Sequence, residues 1–171
     1  RALNAQERRP EAEQVLREAL EYQPQSTVLR SNLANNLAAQ GRHEEGLALM
    51  ETILSQVPED DLARMGMLKM LTDLNRLDEA IARAEAWLKT DPEHHGLQAH
   101  LGVALQLDGR LDESIPFLEA SLADDVPRQL VRRILAKHLM RSNRIDEAIV
   151  HLEKETQSFP RSAGAHTELA A

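Results

Sequence analysis

Three sets of residues in this 171-residue chain have types and spacings that could do chemistry. The seven histidines are the first. His94, His95 and His100 lie closest together, but metal-ligand pairs on a helix need a spacing of three or four to face one way. His95 and His100 are five apart and diverge, and His43, ahead of Glu44 and Glu45, does not complete an H-E-x-x-H zinc motif. They read as surface histidines, with no metal and no cofactor expected. Carboxylate pairs come second: Asp78-Glu79, Asp112-Glu113 and Asp146-Glu147. A single pair could divide the roles of acid and base, whereas a pair that returns at a fixed interval reads as capping and dipole complement at helix starts. The third set is cationic. Arg133, Lys137 and Arg141 are four apart and rise along one helix face, where guanidinium forks could hold a carboxylate. The plainer reading of that stripe is a solvated face with local salt bridges. The seven glycines are scattered and build no phosphate-binding loop, there is no G-x-S-x-G, and there is no cysteine nucleophile, so no catalytic activity is expected.

The elements that must position these groups follow from composition and period. Hydrophobic residues make up 42% of the chain but aromatics only 2%, so a core has to be filled by Leu, Ile, Ala and Met. The net charge of −8 argues against nucleic acid and against anionic membrane surfaces as partners, since both require clustered positive charge. No run of residues approaches the roughly 18 apolar positions of a membrane helix. A soluble protein is expected, the cytoplasm being the favoured compartment. Without cysteine there are no disulfides and no thiolate metal sites. No signal peptide is visible, and a chain that starts at Arg1 reads as a segment of something longer.

Self-similarity is pervasive. Pro24, Pro58 and Pro92 are 34 residues apart, and Pro160 lies two periods further on, with Val126-Pro127 at the intervening place. Gly41-Arg42, Asn75-Arg76, Gly109-Arg110 and Asn143-Arg144 keep the same interval. So do Glu11, Glu45, Glu79, Glu113 and Glu147, the small residues Ala12, Gly46, Ala80, Ser114 and Ala148 after them, and Leu3, Leu37, Leu71, Leu105 and Leu139. Within a period, Leu97, Leu101, Val103, Ala104 and Leu105 carry helical spacing, and Asp108-Gly109 stops the helix in the left-handed conformation that Gly and Asn tolerate. Asp112-Glu113 then opens a second helix along Ile115, Leu118 and Leu122, with Pro116 expected to distort it slightly and Pro127 to follow its end. No segment alternates with period two, so no strand is expected. A lone hairpin cannot cover both its apolar faces; stacked neighbours can.

A two-helix unit of 34 residues with these landmarks resembles the tetratricopeptide repeat (TPR) family, over the whole chain. The matching positions are Leu33, Met67, Leu101, Leu135 and Leu169 in the first helices, and the small residues after them, Ala34, Gly102, Ala136 and Ala170, with Leu68 departing. The loop Gly or Asn, the Ala-type column and the proline match as well. The resemblance implies an all-α fold, a right-handed α-solenoid of stacked antiparallel helical hairpins. One array then occupies 1–171, with full units 27–60, 61–94, 95–128 and 129–162 and partial units 1–26 and 163–171. The family's early tryptophan column holds Arg30, Arg64, Gln98, Arg132 and His166, and its tyrosine column is Leu throughout, which should leave the surface beside the first helices more polar. Trp87 stands where the family has a small residue and Ala84 where it has a large one, so Trp87 is expected to fill the core. The pentatricopeptide family, an RNA reader, has a period of 35 and is set aside. Leu169 and Ala170 lack a second helix to cover them, so further repeats or a partner chain are expected at both ends.

What the resemblance implies for function is a scaffold for protein–protein interaction. Its first helices would line a concave groove holding a peptide or segment of another protein. By register that groove carries Ser31 and Asn35, then Met65 and Lys69, then Val103 and Gln106, then Arg133, Lys137 and Arg141, alongside Val28, Leu62 and Leu130. The partner would present an acidic segment or a C-terminal carboxylate. The carboxylate clamp of some family members is not carried over: Asn35 matches it, but Ser31 stands where it needs Lys and Gly66 where it needs Asn. Two alternatives remain, a substrate-binding region of a larger enzyme and a self-association module stacking end to end into a homo-oligomer.

Overall fold

In the computed structural model, residues 8–123 and 129–158 are described, and these form helices α1 (Arg9–Tyr22), α2 (Thr27–Ala39), α3 (His43–Gln56), α4 (Asp61–Asp73), α5 (Leu77–Leu88), α6 (His95–Leu107), α7 (Leu111–Ala120), α8 (Gln129–Arg141) and α9 (Ile145–Ser158). No strand occurs among the described residues. The fold class is all-α, a helical repeat of the α-solenoid kind. First helices begin at Thr27, Asp61, His95 and Gln129, and second helices at Arg9, His43, Leu77, Leu111 and Ile145, each series 34 apart. The expectations for Leu3, Val126-Pro127, Pro160, His166, Leu169 and Ala170 lie outside the described residues.

Local signals account for the helix ends. Ser26, Asp60 and His94 stand one residue ahead of α2, α4 and α6. Each accepts a hydrogen bond from the backbone N–H three residues on, through Oγ, Oδ1 and Nδ1 respectively. His94 is thus a helix cap. At the other end Gly41, Asn75, Gly109 and Asn143 all have positive φ, from 58° to 85°. The N–H of the arginine after each bonds the leucine carbonyl five residues back, as in Arg42 to Leu37, Arg76 to Leu71, Arg110 to Leu105 and Arg144 to Leu139. A Cβ at Gly41 would meet nothing within 4 Å, so only the backbone conformation selects the residue there. Gly41→Asn should therefore leave the thermal midpoint nearly unchanged, while Gly41→Val should cost about 1–2 kcal/mol, the strain of a branched residue in the left-handed region. Urea unfolding of both variants checks the pair.

The chain divides into two compact units, residues 1–80 and 81–171. In the first, α1 packs on α2, α2 on α3 and α3 on α4, and α2 also meets α4. The columns read from sequence are its core: Leu33, Leu37, Met67 and Leu71 are buried along with Met50 and Ile53. In the second unit α6 packs on α7, α7 on α8 and α8 on α9, and α6 also meets α8. Its core gathers Leu118, Val131, Leu135, Ala136, Leu139, Ala148 and Leu152, with Val103, Ile115 and Ile134 packed against it. The helix α7 runs unbroken through Pro116. First helices therefore touch first helices within each unit, which leaves their outer faces side by side.

Three expectations need correction. Trp87 is only half-buried while Ala84 is fully enclosed, because a step of three residues turns about 60° away around the helix and carries the indole to the rim of the packed face. The polar residues in the early tryptophan column do not simply enrich the surface. Arg64 and Gln98 are buried. Arg30, Arg64 and Gln98 donate to the carbonyl oxygens of Pro24, Pro58 and Pro92, six residues back in each case, at 2.6, 2.8 and 2.7 Å. In these three units the column ties the loop to the helix that follows it.

The recurring carboxylates also do something other than cap. Arg42, Arg110 and Arg144 each lay a two-pronged fork on both oxygens of Glu45, Glu113 and Glu147, three residues on, at 2.6 to 2.9 Å, while Arg76 donates twice to a single oxygen of Glu79. The arginines hold Glu45, Glu113 and Glu147 below the usual carboxylate range. Arg42 also reaches back to Glu13 on α1 at 2.9 Å, and Arg76 to Glu44 on α3 at 3.2 Å, linking successive second helices. Glu13 gathers Gln40, Arg17 and Arg42, whose hydrogen bonds lower its pKa from 4.5 to about 2. A depressed carboxylate stabilises the fold above its ordinary pKa and loses that contribution as pH falls through the folded value. The stability advantage of the parent over Glu13→Gln should be constant above about pH 4.5 and should vanish as pH falls toward 2. Thermal melts of both proteins from pH 7 to pH 2 will show the two curves converging, and curves that stay parallel would contradict this role.

Candidate partner-binding surface

The residues assigned to the groove by register occupy different environments. In the first unit Asn35 is exposed on α2, its Oδ1 beside Gly66 of α4. Met65 is half-buried, and Lys69 is exposed but paired with Asp73 one turn along α4. Ser31 is only 1% exposed and its hydroxyl has no hydrogen-bond partner, so it offers nothing to a ligand in this structure. The reason is register: Ser31 lies three residues before the fully buried Ala34, only about 60° around the helix, close enough to the packed face to be enclosed with it. Val28 and Leu62, both near the starts of first helices, are exposed apolar side chains.

In the second unit Val103 is half-buried against the core shared with α8, so its side chain acts mainly in packing. Gln106, Lys137 and Arg141 come together. They line one cavity of about 250 Å³, along with Leu111, Ile134 and His138. The stripe of α8 is therefore more than an arithmetic spacing, since two of its three cations converge with an amide from α6. Arg133, one turn earlier on α8, is not part of the cavity wall; it is half-buried and its Nε has no hydrogen-bond partner. Helix α8 carries Arg132, Arg133, Lys137 and Arg141 and no carboxylate. His151 on α9 is pushed below its ordinary pKa by burial and by the neighbouring Arg132 and Lys154.

His138 is the member that sequence reasoning missed. The signal was present: in its column the earlier units hold Asn36, Met70 and Ala104, and the last two are buried, so a histidine there is a polar residue in an apolar position. His94 caps α6 and His95 pairs through Nδ1 with Gln98 at 3.1 Å, so the histidines closest in sequence are engaged locally. No group of three or more His, Asp or Glu residues placed to hold a metal ion occurs among the described residues. No helix among them is long and apolar enough to cross a membrane.

The tetratricopeptide repeat profile matches residues 3–69 and, overlapping, 37–101. Solved structures agree on the fold. The chain is 21% identical to TTC0263, a thermophilic TPR protein of Thermus thermophilus, with 99% of this chain and 92% of that one covered and a TM-score of 0.79. It is 18% identical to MamA, from residue 41 to the end, of Desulfovibrio magneticus RS-1, with 94% of each chain covered and a TM-score of 0.67. It is 21% identical to YrrB, described as a TPR protein with an unusual peptide-binding site, with 90% of this chain and 79% of that one covered and a TM-score of 0.66. At such identities the likeness is one of fold. No curated protein matches the chain.

Proposed function

Since the chain belongs to the tetratricopeptide repeat family, we propose that it is a non-catalytic scaffold whose first helices hold a segment of a partner protein. The observation that carries this reading is the convergence of Gln106, Lys137 and Arg141 on one cavity in the second unit. In the first unit Asn35, Met65 and Lys69 form the corresponding face, with Val28 and Leu62 as exposed apolar contacts. We place Arg133 on the same surface. The partner segment is acidic or ends in a carboxylate, because the clustered side chains are cationic in a chain whose net charge is −8. The repeat units 27–60, 61–94, 95–128 and 129–162, with partial units at 1–26 and 163–171, are taken as one array. The likeness to a fold that carries a peptide-binding site in YrrB supports the reading.

The test is hydrogen exchange on the whole chain with and without a partner recovered by affinity capture. Protection should appear on the first helices, α6 and α8 in the second unit and α2 and α4 in the first. Protection confined to second helices, or none at all, would overturn the proposal. End-to-end self-association is the second reading. It is favoured by α1, which has no buried residue and exposes Val15 and Tyr22. A molar mass that rises with concentration in light scattering would support it.

A further inference from the structure

The hairpin of α8 and α9 holds two histidines in places that suit a neutral imidazole and not a charged one. His138 on α8 is only 8% exposed, and both its ring nitrogens are closed to solvent without a hydrogen-bond partner. Lys137 and Arg141 of its own helix border the same cavity, and α6 contributes the neutral Gln106. From α7, Asp112 comes within 3.5 Å of Nε2, beyond the usual hydrogen-bond range. Its carboxylate is almost wholly in water, where its attraction is weak. What α9 brings to the core shared with α8 is apolar, Ala148 and Leu152.

His151 on α9 is half-buried, and its Nδ1 is enclosed without a partner. It feels Arg132 of α8 and Lys154 of its own helix, while Glu147, one turn back, is already held by the fork of Arg144. A neutral imidazole carries one N–H donor and an imidazolium carries two. Protonation therefore adds a charge and a further donor at enclosed nitrogens that have no acceptor. The unfolded chain, with its imidazoles in water, bears no such cost.

The direction of the pH dependence follows. Burial first, then Arg132 and Lys154, hold the His151 imidazole below its ordinary 6.5 against the opposing pull of Glu147. The folded hairpin favours the neutral form, so its stability is whole above about pH 6.5, falls as pH drops toward the lower folded value, and levels off beneath it. Glu45, Glu113 and Glu147 stay ionised through that window, because their arginines hold them below 4.5. Of the seven histidines only His43 lies in residues 1–80, so the first unit is a comparison within the same molecule. In a helical repeat each hairpin is held by its neighbours alone, and one hairpin can open while the others stay closed.

We propose that the α8–α9 hairpin is an acid-responsive element, which loosens, α9 from α8 and α8 from α7, when His151 and His138 take up protons and closes again when they lose them. This goes beyond the groove reading and does not depend on it.

Hydrogen exchange with mass spectrometry on the whole chain at pH 7.5 and pH 5.5, corrected for the intrinsic pH dependence of exchange, reads the hairpin directly. Protection factors in α8 and α9 should fall about tenfold at the lower pH, while those in α2, α3 and α4 hold. His138→Met with His151→Phe borrows the residues of the same columns in earlier units, Met70 and Phe117. This double variant should keep its protection at pH 7.5 and lose the fall. Where it folds poorly, His138→Gln with His151→Gln gives the same reading, since glutamine stays polar and takes no proton. In NMR the imidazole resonance of His151, identified by its loss in His151→Gln, should titrate with a midpoint below 6.5. Protection of α8 and α9 that does not change with pH, an equal fall in α2, α3 and α4, or a fall that persists in the double variants overturns the proposal.

Discussion

Leu118→Ala should destabilise the second unit by about 2–5 kcal/mol, the range for truncating a fully buried leucine. It should cost less in a chain where Gly102 is already alanine. Leu118 is completely enclosed, in the core shared by α7, α8 and α9. A Cβ at Gly102 on α6 would stand 2.6 Å from Leu118 Cδ2, 2.7 Å from Cγ and 3.2 Å from its backbone N. The branch carbon of an enclosed side chain cannot swing aside, so Gly102→Ala alone should cost about 1–3 kcal/mol by overpacking, an effect large enough to outweigh the gain of at most ~1 kcal/mol from alanine's better helix propensity. Once Leu118 is alanine, the new methyl enters the vacated space. The two changes together should then fall short of the sum of the single effects by about 0.5–3 kcal/mol. Gly66→Ala is the control. There the Cβ would meet chiefly the terminal Cε of Met50 at 2.5 Å, the far end of a flexible chain, so the clash relaxes and the net change should be near zero. Urea unfolding followed by far-ultraviolet circular dichroism measures all four variants against the parent. Strict additivity of Gly102→Ala and Leu118→Ala would mean that the contact does not limit packing.

Much of this architecture can be read from the sequence because its determinants are local. The interval of 34 places every first helix, the Gly or Asn before each arginine marks the positive φ that ends it, and the leucine columns at 37, 71, 105 and 139 are the buried ones. What escapes the sequence has its partner elsewhere. The fork from Arg42 to Glu45 spans three residues and could be anticipated, but its second arm to Glu13 crosses 29 positions. Arg64 and Gln98 are polar letters in a column that the family fills with tryptophan, and their use is visible only once the carbonyls of Pro58 and Pro92 are found within reach. Trp87 shows the converse error: column arithmetic predicts volume, whereas burial depends on an angle of tens of degrees about the helix axis. The cationic site was half legible. Spacing of four puts Lys137 and Arg141 on one face, but Gln106 joins them from another hairpin and His138 from the buried side of the same helix.

Reversing both Lys137 and Arg141 to glutamate should weaken binding of the partner segment at least a hundredfold and leave helicity and thermal midpoint almost untouched. Both side chains are exposed, so the fold loses little when they change. Hydrogen bonds to charged groups contribute about 1.5–3 kcal/mol each, so losing two of them accounts for a hundredfold or more, at 1.4 kcal/mol per decade. Reversal also sets two negative charges against an incoming carboxylate, a repulsion that neutral glutamines would not impose. The wild-type affinity should fall steeply between low and moderate salt, since exposed charges are screened within about 10 Å at 0.1 M, and the reversed protein should show a flat or inverted dependence. Reversing Arg133 with Lys137, a pair four residues apart but sharing no cavity, separates a general field from a seat. A uniform cationic face predicts equal losses for the two double variants. A pocket predicts the larger loss when Arg141 is included, because Arg141 lines the cavity and Arg133 does not. Isothermal calorimetry with one partner at two salt concentrations decides between them, and an affinity that survives both reversals would reduce the stripe to a solvated face.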